Sequence, residues 1–181
     1  MAIVVEDGTG LATADSYLSI AGMTAYVAAY MRSSTVWSAA STTEQEEWLR
    51  EGTQALNALF ARRWRGIKVL QTQSLDFPRI GIVDDDGFSV LSTTVPVRIA
   101  NACAEMTWRA ANVGGVDLAT GDSTKLIADN ASAMIASESV KVGAIGTSTT
   151  YLGGKSGQTD YRKISLMLTG LITAAGTVRR G

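Results

Sequence analysis

The segment from Ser41 to Gly66 constrains the fold most, because it is the clearest helix in the chain. Ser41 with Glu44, and Thr43 with Glu46, both match a capping box, in which a hydroxyl and a carboxylate bond the free amides of the first turn. Three arginines precede Gly66, and their charge suits the C-terminal end of a helix. The apolar face at helical spacing consists of Trp48, Ala55, Leu56, Leu59 and Phe60. The other elements are expected to pack on this helix.

The composition favours a chain that buries surface against other copies of itself. A length of 181 residues is typical of one domain, and 46% hydrophobic residues can form a core, whereas 18% charged residues is low for a soluble monomer. A homo-oligomer would cover such a surface. The net charge of −1 argues against a dedicated nucleic-acid binder, which usually has a basic excess.

Several classes of chemistry are disfavoured by what the sequence omits. The chain has no histidine, the commonest general acid or base and a frequent metal ligand. Serines and carboxylates are plentiful, but none stands at a spacing that suggests an activated nucleophile. We therefore expect no enzyme, no catalytic, cofactor-binding or metal site, and no cofactor. No apolar run reaches the roughly 18 residues of a membrane span, so we expect no membrane partner.

The middle of the chain predicts a second long helix and a turn before it. Asp84–Gly87 reads as a solvated turn between two short β-prone pieces, Arg79–Val83 and Phe88–Leu91. Thr94–Pro96 opens the helix, since proline is tolerated at the first helical position. Its apolar stripe consists of Ile99, Cys103, Met106 and Ala110. Cys103 is therefore expected in the core rather than as a nucleophile.

Two shorter helices and an extended arm complete the expected fold. Ser19 caps a helix that runs to about Met31, residues 32–41 form a loop, and a last helix covers about 159–172. Between residues 132 and 157, β-branched residues broken by Gly143 and Gly146 predict two strands and a flexible linker. The fold class is thus mainly α, a small bundle of about four helices with a β-hairpin-like arm, and one domain over residues 1–181.

Several features in this order resemble the head–tail connector, or adaptor, proteins of tailed bacteriophages. They are ADSYLS at 14–19, RWRG at 63–66, QSLDFPR at 73–79 with the later acidic turn, and the VP at 95–96 that opens a helix containing Ala104–Glu105. The resemblance covers about residues 12–112, and the last helix resembles the closing helix of that family. Some members are labelled DnaT-like single-stranded-DNA-binding proteins. The stretch 116–157 does not match the pattern.

The resemblance implies a structural virion protein at the head–tail junction, made in the host cytoplasm. Copies would form a ring, about twelve-fold, beneath the portal protein, with a downstream tail or nozzle protein below. DNA would pass through the lumen without sequence-specific contact. Residues on the arm and the last helix are candidates for the partner interface: Val140, Val142, Ile145, Tyr151, Leu166 and Met167.

A single-stranded nucleic-acid binder is the alternative. Arg62, Arg63, Trp64 and Arg65 place an aromatic residue among cations, and Trp108–Arg109 repeats the pairing. Stacking combined with phosphate contact is a known mode of single-strand binding. The interpretation that we favour for these residues is structural: the arginines complement a helix C-terminus, and Trp64 packs in the core.

Overall fold

Two antiparallel strand pairs and five helices are present in the residues that the computed structural model describes. These residues are 2–31, 34–113, 137–142, 145–150 and 162–173. The chain divides into two units, Met1–Gly115 with Tyr161–Gly181, and Val116–Asp160. The mainly α class predicted from the sequence is confirmed. No helix in the described part of the chain is long and apolar enough to cross a membrane.

Helices α3 (Thr42–Phe60) and α4 (Val97–Val113) pack against each other at the centre of the first unit. The predicted capping box is present at Ser41 and Glu44. Close approach of the helices depends on Gly52, since a Cβ there would lie 2.6 Å from the backbone nitrogen of Thr107. The predicted stripe on α4 is buried, with Ile99, Cys103 and Met106 all at 0% exposure. Burial also raises the pKa of the Cys103 thiol, as expected of a core residue.

Helices α1 (Ile20–Tyr30) and α2 (Thr35–Ala39) cover one side of this pair. The side chain of Ser19 caps α1 as predicted, accepting a hydrogen bond from the amide of Gly22. The loop predicted over 32–41 is wrong in part, because α2 forms there. Its Trp37 is 1% exposed, and its indole N–H donates to Thr24 at 2.9 Å. Burial of this large ring stabilises a helix too short to form alone.

The segment between α3 and α4 folds into short β-structure. Strand β1 (Ile67–Lys68) pairs antiparallel with β2 (Arg79–Ile80). The acidic turn predicted at 84–87 is present: the amide of Gly87 donates to the carbonyl of Asp84 at 3.1 Å. The Asp84 side chain also accepts from the amides of Asp86 and Phe88. Ile82 anchors the turn in the core at 2% exposure.

Helix α5 (Arg162–Met167) is joined to α1 and α4 through the buried carboxylate of Glu105. This carboxylate accepts hydrogen bonds from Tyr26 at 2.8 Å, from Arg109 at 3.0 Å and from Lys163. Burial disfavours its ionised form, but the bonds from Lys163, Tyr26 and Arg109 outweigh that effect, and the pKa of Glu105 is lowered. The four side chains therefore tie three helices together.

The second unit contains the predicted β-hairpin. Strand β3 (Ser137–Val142) pairs antiparallel with β4 (Ile145–Thr150), and the register places Val140 opposite Thr147 and Val142 opposite Ile145. Gly146 lies within β4 rather than at the turn, opposite Lys141. Tyr151 and the linker predicted before the last helix lie outside the described residues, so the limits of the predicted arm, 132–157, remain a prediction.

Candidate nucleic-acid interface

The arginine-rich segment leaves α3 through a turn at residues 61–63, in which the amide of Arg63 donates to the carbonyl of Phe60 at 2.8 Å, and it becomes extended at Trp64. Helix α3 ends at Phe60, and Trp64 forms an antiparallel bridge with Ile172. The amide of Arg65 donates to Leu171 at 2.9 Å, and the amide of Thr173 donates to Arg63 at 2.7 Å. Neighbouring side chains on an extended backbone point to opposite sides. Trp64 therefore points to one side of the segment, and its two arginine neighbours point to the other.

Trp64 lies in the core and does not offer its ring to a nucleobase. The residue is 3% exposed, and its indole N–H donates to Asp76 at 2.9 Å. The rings of Phe60 and Phe77 lie against it, at centroid distances of 5.8 and 5.1 Å. The burial of Trp64 leaves no ring face free for stacking and agrees with the interpretation that Trp64 packs in the core. The other part of that interpretation is wrong, because α3 ends at Phe60, before the arginines, and has no basic residue in its last turn. The packing of Trp64 fixes the backbone that carries the arginines.

Arg63 and Arg65 line an open cleft of about 290 Å³ beside residues 165–173. The Arg63 guanidinium lies over the Phe60 ring, 5.2 Å from its centroid, and its Nε donates to the carbonyl of Thr173 at 3.2 Å. Arg65 donates to the carbonyl of Gly170 at 3.1 Å, and its side chain remains 38% exposed. Guanidinium groups carry five N–H donors each, so these bonds leave donors for an anion.

The acidic turn contributes Asp85 to the lining of this cleft. Asp85 lies 3.5 Å from Arg65 and is itself half exposed. The same turn packs closely on Gly170, whose φ of +86° favours glycine: a Cβ there would lie 3.3 Å from the backbone nitrogen of Asp85, a tight contact. An exposed ion pair of this kind is weak, and a stronger anion can replace the carboxylate.

A further arginine, Arg98 of α4, extends the basic surface around residues 168–171. It donates to the carbonyl of Thr169 at 2.8 Å and lines a second cleft of about 260 Å³ with Asp84 and Leu171. Arg62 is exposed, and it directly precedes Arg63, which lines the first cleft. Sequence patterns missed Arg98, because its relation to the other arginines depends on a contact between α4 and the segment after α5.

Of the other candidates from the sequence, Leu166 and Met167 do not line this cleft. Leu166 is 64% exposed on α5, and Met167 is half buried. Val140, Val142 and Ile145 lie on the hairpin of the second unit, and Tyr151 lies outside the described residues. The Trp108–Arg109 pair is structural: Trp108 packs against the core cluster around Met23 and Trp37, and Arg109 bonds Glu105.

No group of histidine, cysteine and carboxylate side chains that could hold a metal occurs among the described residues. What the described surface offers instead is a cleft with two guanidinium groups, which is chemistry for binding an anion.

Arg63 and Arg65 line the cleft, whereas Trp64 is buried on the other side of the segment and offers no ring for stacking. The family model described as "Putative DnaT-like ssDNA binding protein" matches residues 1–181, and the chain belongs to that family. No curated protein and no solved structure matches the chain. The match supports the single-stranded-DNA-binding label carried by some relatives; it gives no support to the connector family.

Proposed function

We propose that this chain binds single-stranded DNA through its phosphate backbone, at the cleft lined by Arg63 and Arg65. The observation that carries the proposal is the placement of two guanidinium groups on one open wall, opposite the buried face of Trp64. The family description agrees with such a partner. Binding rather than catalysis is the proposed activity.

The contact would be electrostatic and independent of sequence. Arg65 is already held by the Gly170 carbonyl, so little side-chain freedom is lost when a phosphate replaces Asp85 at its remaining donors. Arg63 is held similarly over the Phe60 ring. Planar guanidinium groups suit phosphate oxygens, since two parallel N–H bonds can form. Because these guanidinium groups are already oriented, they would bind phosphate even though the net charge of the chain is close to zero.

Fluorescence anisotropy with a labelled oligothymidine of about 16 nucleotides tests the proposal. We expect Arg63→Gln and Arg65→Gln each to weaken binding. Removing one arginine–phosphate pair should also reduce the slope of log K against log salt by about 0.7, the value for single strands. The salt slope is informative because it reports the number of phosphate contacts. A substitution that only perturbs the fold would lower the affinity and leave this slope unchanged.

Arg50→Gln is the matched control. It removes the same charge from α3, but Arg50 pairs with Asp15 and Glu46 and does not line the cleft. Its binding and salt slope should equal those of the wild type. Equal effects of all three substitutions, or no binding by the wild type even at low salt, would contradict the proposal.

A second candidate, the head–tail connector ring, is favoured by exposed apolar side chains. Leu166 on α5 and a group between β1 and α4 are uncovered in the described chain: Ile67, Leu70, Ile80, Val83, Phe88, Leu91 and Val97. Contacts between copies would bury such residues. On this proposal the chain is a virion protein at the head–tail junction. It would form a ring of about twelve copies between the portal and a downstream tail or nozzle protein, with DNA in the lumen.

Light scattering and negative-stain images, with and without the portal protein, separate the two candidates. A ring, formed alone or on the portal, is the result expected of a connector. A monomer at high concentration that stays monomeric with the portal present would exclude the connector and leave the strand-binding proposal standing.

A further inference from the structure

A single-strand site that uses Arg63 and Arg65 for phosphates still needs a surface for the bases, and Trp64 does not provide it. Proteins that bind single strands combine a basic groove with aromatic rings on which bases stack. Of the aromatic residues whose side chains the structure describes, Phe88 and Tyr30 are the exposed ones, at 73% and 68%. Tyr30 already has the ring of Tyr26 against it, 4.8 Å away.

Phe88 belongs to the same turn as the cleft residue Asp85. Three peptide units separate the two, so their Cα atoms lie at most about 11 Å apart. The turn that joins them is closed by the hydrogen bond between Gly87 and Asp84. Arg65 bonds the backbone carbonyl of Val83 as well as the carboxylate of Asp85. The aromatic residue and the cation are therefore held by one short loop.

The backbone of Phe88 is fixed although its ring is exposed. Its amide donates to the Asp84 carboxylate at 2.8 Å, and its carbonyl accepts from the Asp84 amide at 2.9 Å. Below it, the amide of Val90 donates to the carbonyl of the buried Ile82. An exposed ring on an ordered turn loses little entropy when it binds, which favours its use as a contact residue.

We infer that Phe88 stacks on a nucleobase of a single strand whose phosphate binds at Arg65. This inference rests on the proposed single-strand binding and adds its base-contacting residue. Because bases within a duplex are already stacked on both faces, the contact selects single strands over duplex DNA. Stacking does not distinguish one base from another, so the preference is for exposed bases rather than for a sequence.

The test compares oligothymidine with an abasic oligonucleotide of the same length and charge, by fluorescence anisotropy. We expect Phe88→Ala to weaken oligothymidine binding about tenfold and to leave abasic binding unchanged. Phe88→Trp should retain the preference for oligothymidine, and Phe88→Leu should lose it. Tyr30→Ala and Leu91→Ala, which remove an exposed ring and an exposed aliphatic side chain of 66% exposure, serve as controls with wild-type binding.

The outcomes distinguish the stacking role of Phe88 from the proposed binding of single strands by Arg63 and Arg65. If Arg65→Gln weakens binding and Phe88→Ala does not, strand binding stands and the stacking role is wrong. If wild-type protein binds neither oligonucleotide, both are wrong. If Phe88→Ala instead changes the mass measured by light scattering at equal binding, Phe88 belongs to a contact between copies, and the inference is overturned. Unchanged thermal melting confirms that each variant is folded.

Discussion

At the residue scale, the segment Arg63–Trp64–Arg65 directs its side chains to two sides because its backbone is extended at the bridge between Trp64 and Ile172. The indole of Trp64 packs between Phe60 and Phe77 and bonds Asp76. The arginines on either side then point away from the core toward the cleft. A helical backbone would have rotated the three side chains by about 100° per residue and separated the arginines, since a helix has 3.6 residues per turn.

Asp85 competes with phosphate for Arg65 under the proposed function. We expect Asp85→Asn to strengthen oligothymidine binding by a few-fold, because it removes the carboxylate that lies 3.5 Å from the guanidinium. Fluorescence anisotropy measures the change.

Asp86→Asn is the control for this prediction, since Asp86 is an exposed aspartate of the same turn and carries the same charge. Direct competition predicts that the Asp85 variant gains clearly more affinity than the Asp86 variant. Equal gains would show that only the general potential of the turn matters, and weaker binding by Asp85→Asn would contradict competition altogether.

At the scale of elements, local patterns predicted the long helices well and their partners poorly. The capping box at Ser41 and the buried stripe of α4 depend on residues within one or two turns, so a pattern in the sequence suffices. The sequence does not predict α2, because five residues carry little periodic signal. The helix depends instead on the burial of Trp37. The candidate site depended on tertiary contacts: Arg65 bonds Gly170 across 105 positions, which no local spacing encodes.

The connection of α1, α4 and α5 through Glu105 should make stability depend on pH. The pKa of Glu105 is lowered in the folded state, so its contribution is present above the ordinary carboxyl value of 4.5 and disappears as the pH falls through the lower folded value. We expect Glu105→Gln to lower the free energy of unfolding by about 2 kcal/mol at pH 7, because it removes charged hydrogen bonds. The difference from the wild type should shrink below pH 4.5.

Urea unfolding at several pH values measures this difference. Glu47→Gln, at an exposed position on α3, is the control and should change stability little at any pH. A Glu105→Gln protein as stable as the wild type at pH 7 would mean that the bonds from Tyr26, Arg109 and Lys163 only balance the cost of burying the carboxylate.

At the scale of the whole molecule, the division into two units predicts that the first folds without the second. The first unit has a hydrophobic core of its own, with buried side chains between Ala14 and Ala111 and between Ile164 and Ile172. Replacing residues 116–160 by a short Gly/Ser linker should therefore preserve cooperative thermal unfolding, measured by circular dichroism, and oligothymidine binding. A non-cooperative melt would contradict independent folding of the first unit.

The pairing of residues 63–65 with 171–173 has a consequence for how the protein is made. Arg63 and Arg65 leave the ribosome about a hundred residues before the segment 165–173 that lines the cleft with them, so a growing chain carries these arginines before the backbone carbonyls that orient them. Under the proposed function, the ability to bind a strand is therefore acquired late, when residues 171–173 pair with residues 63–65, and a copy interrupted during synthesis would lack a complete site for DNA.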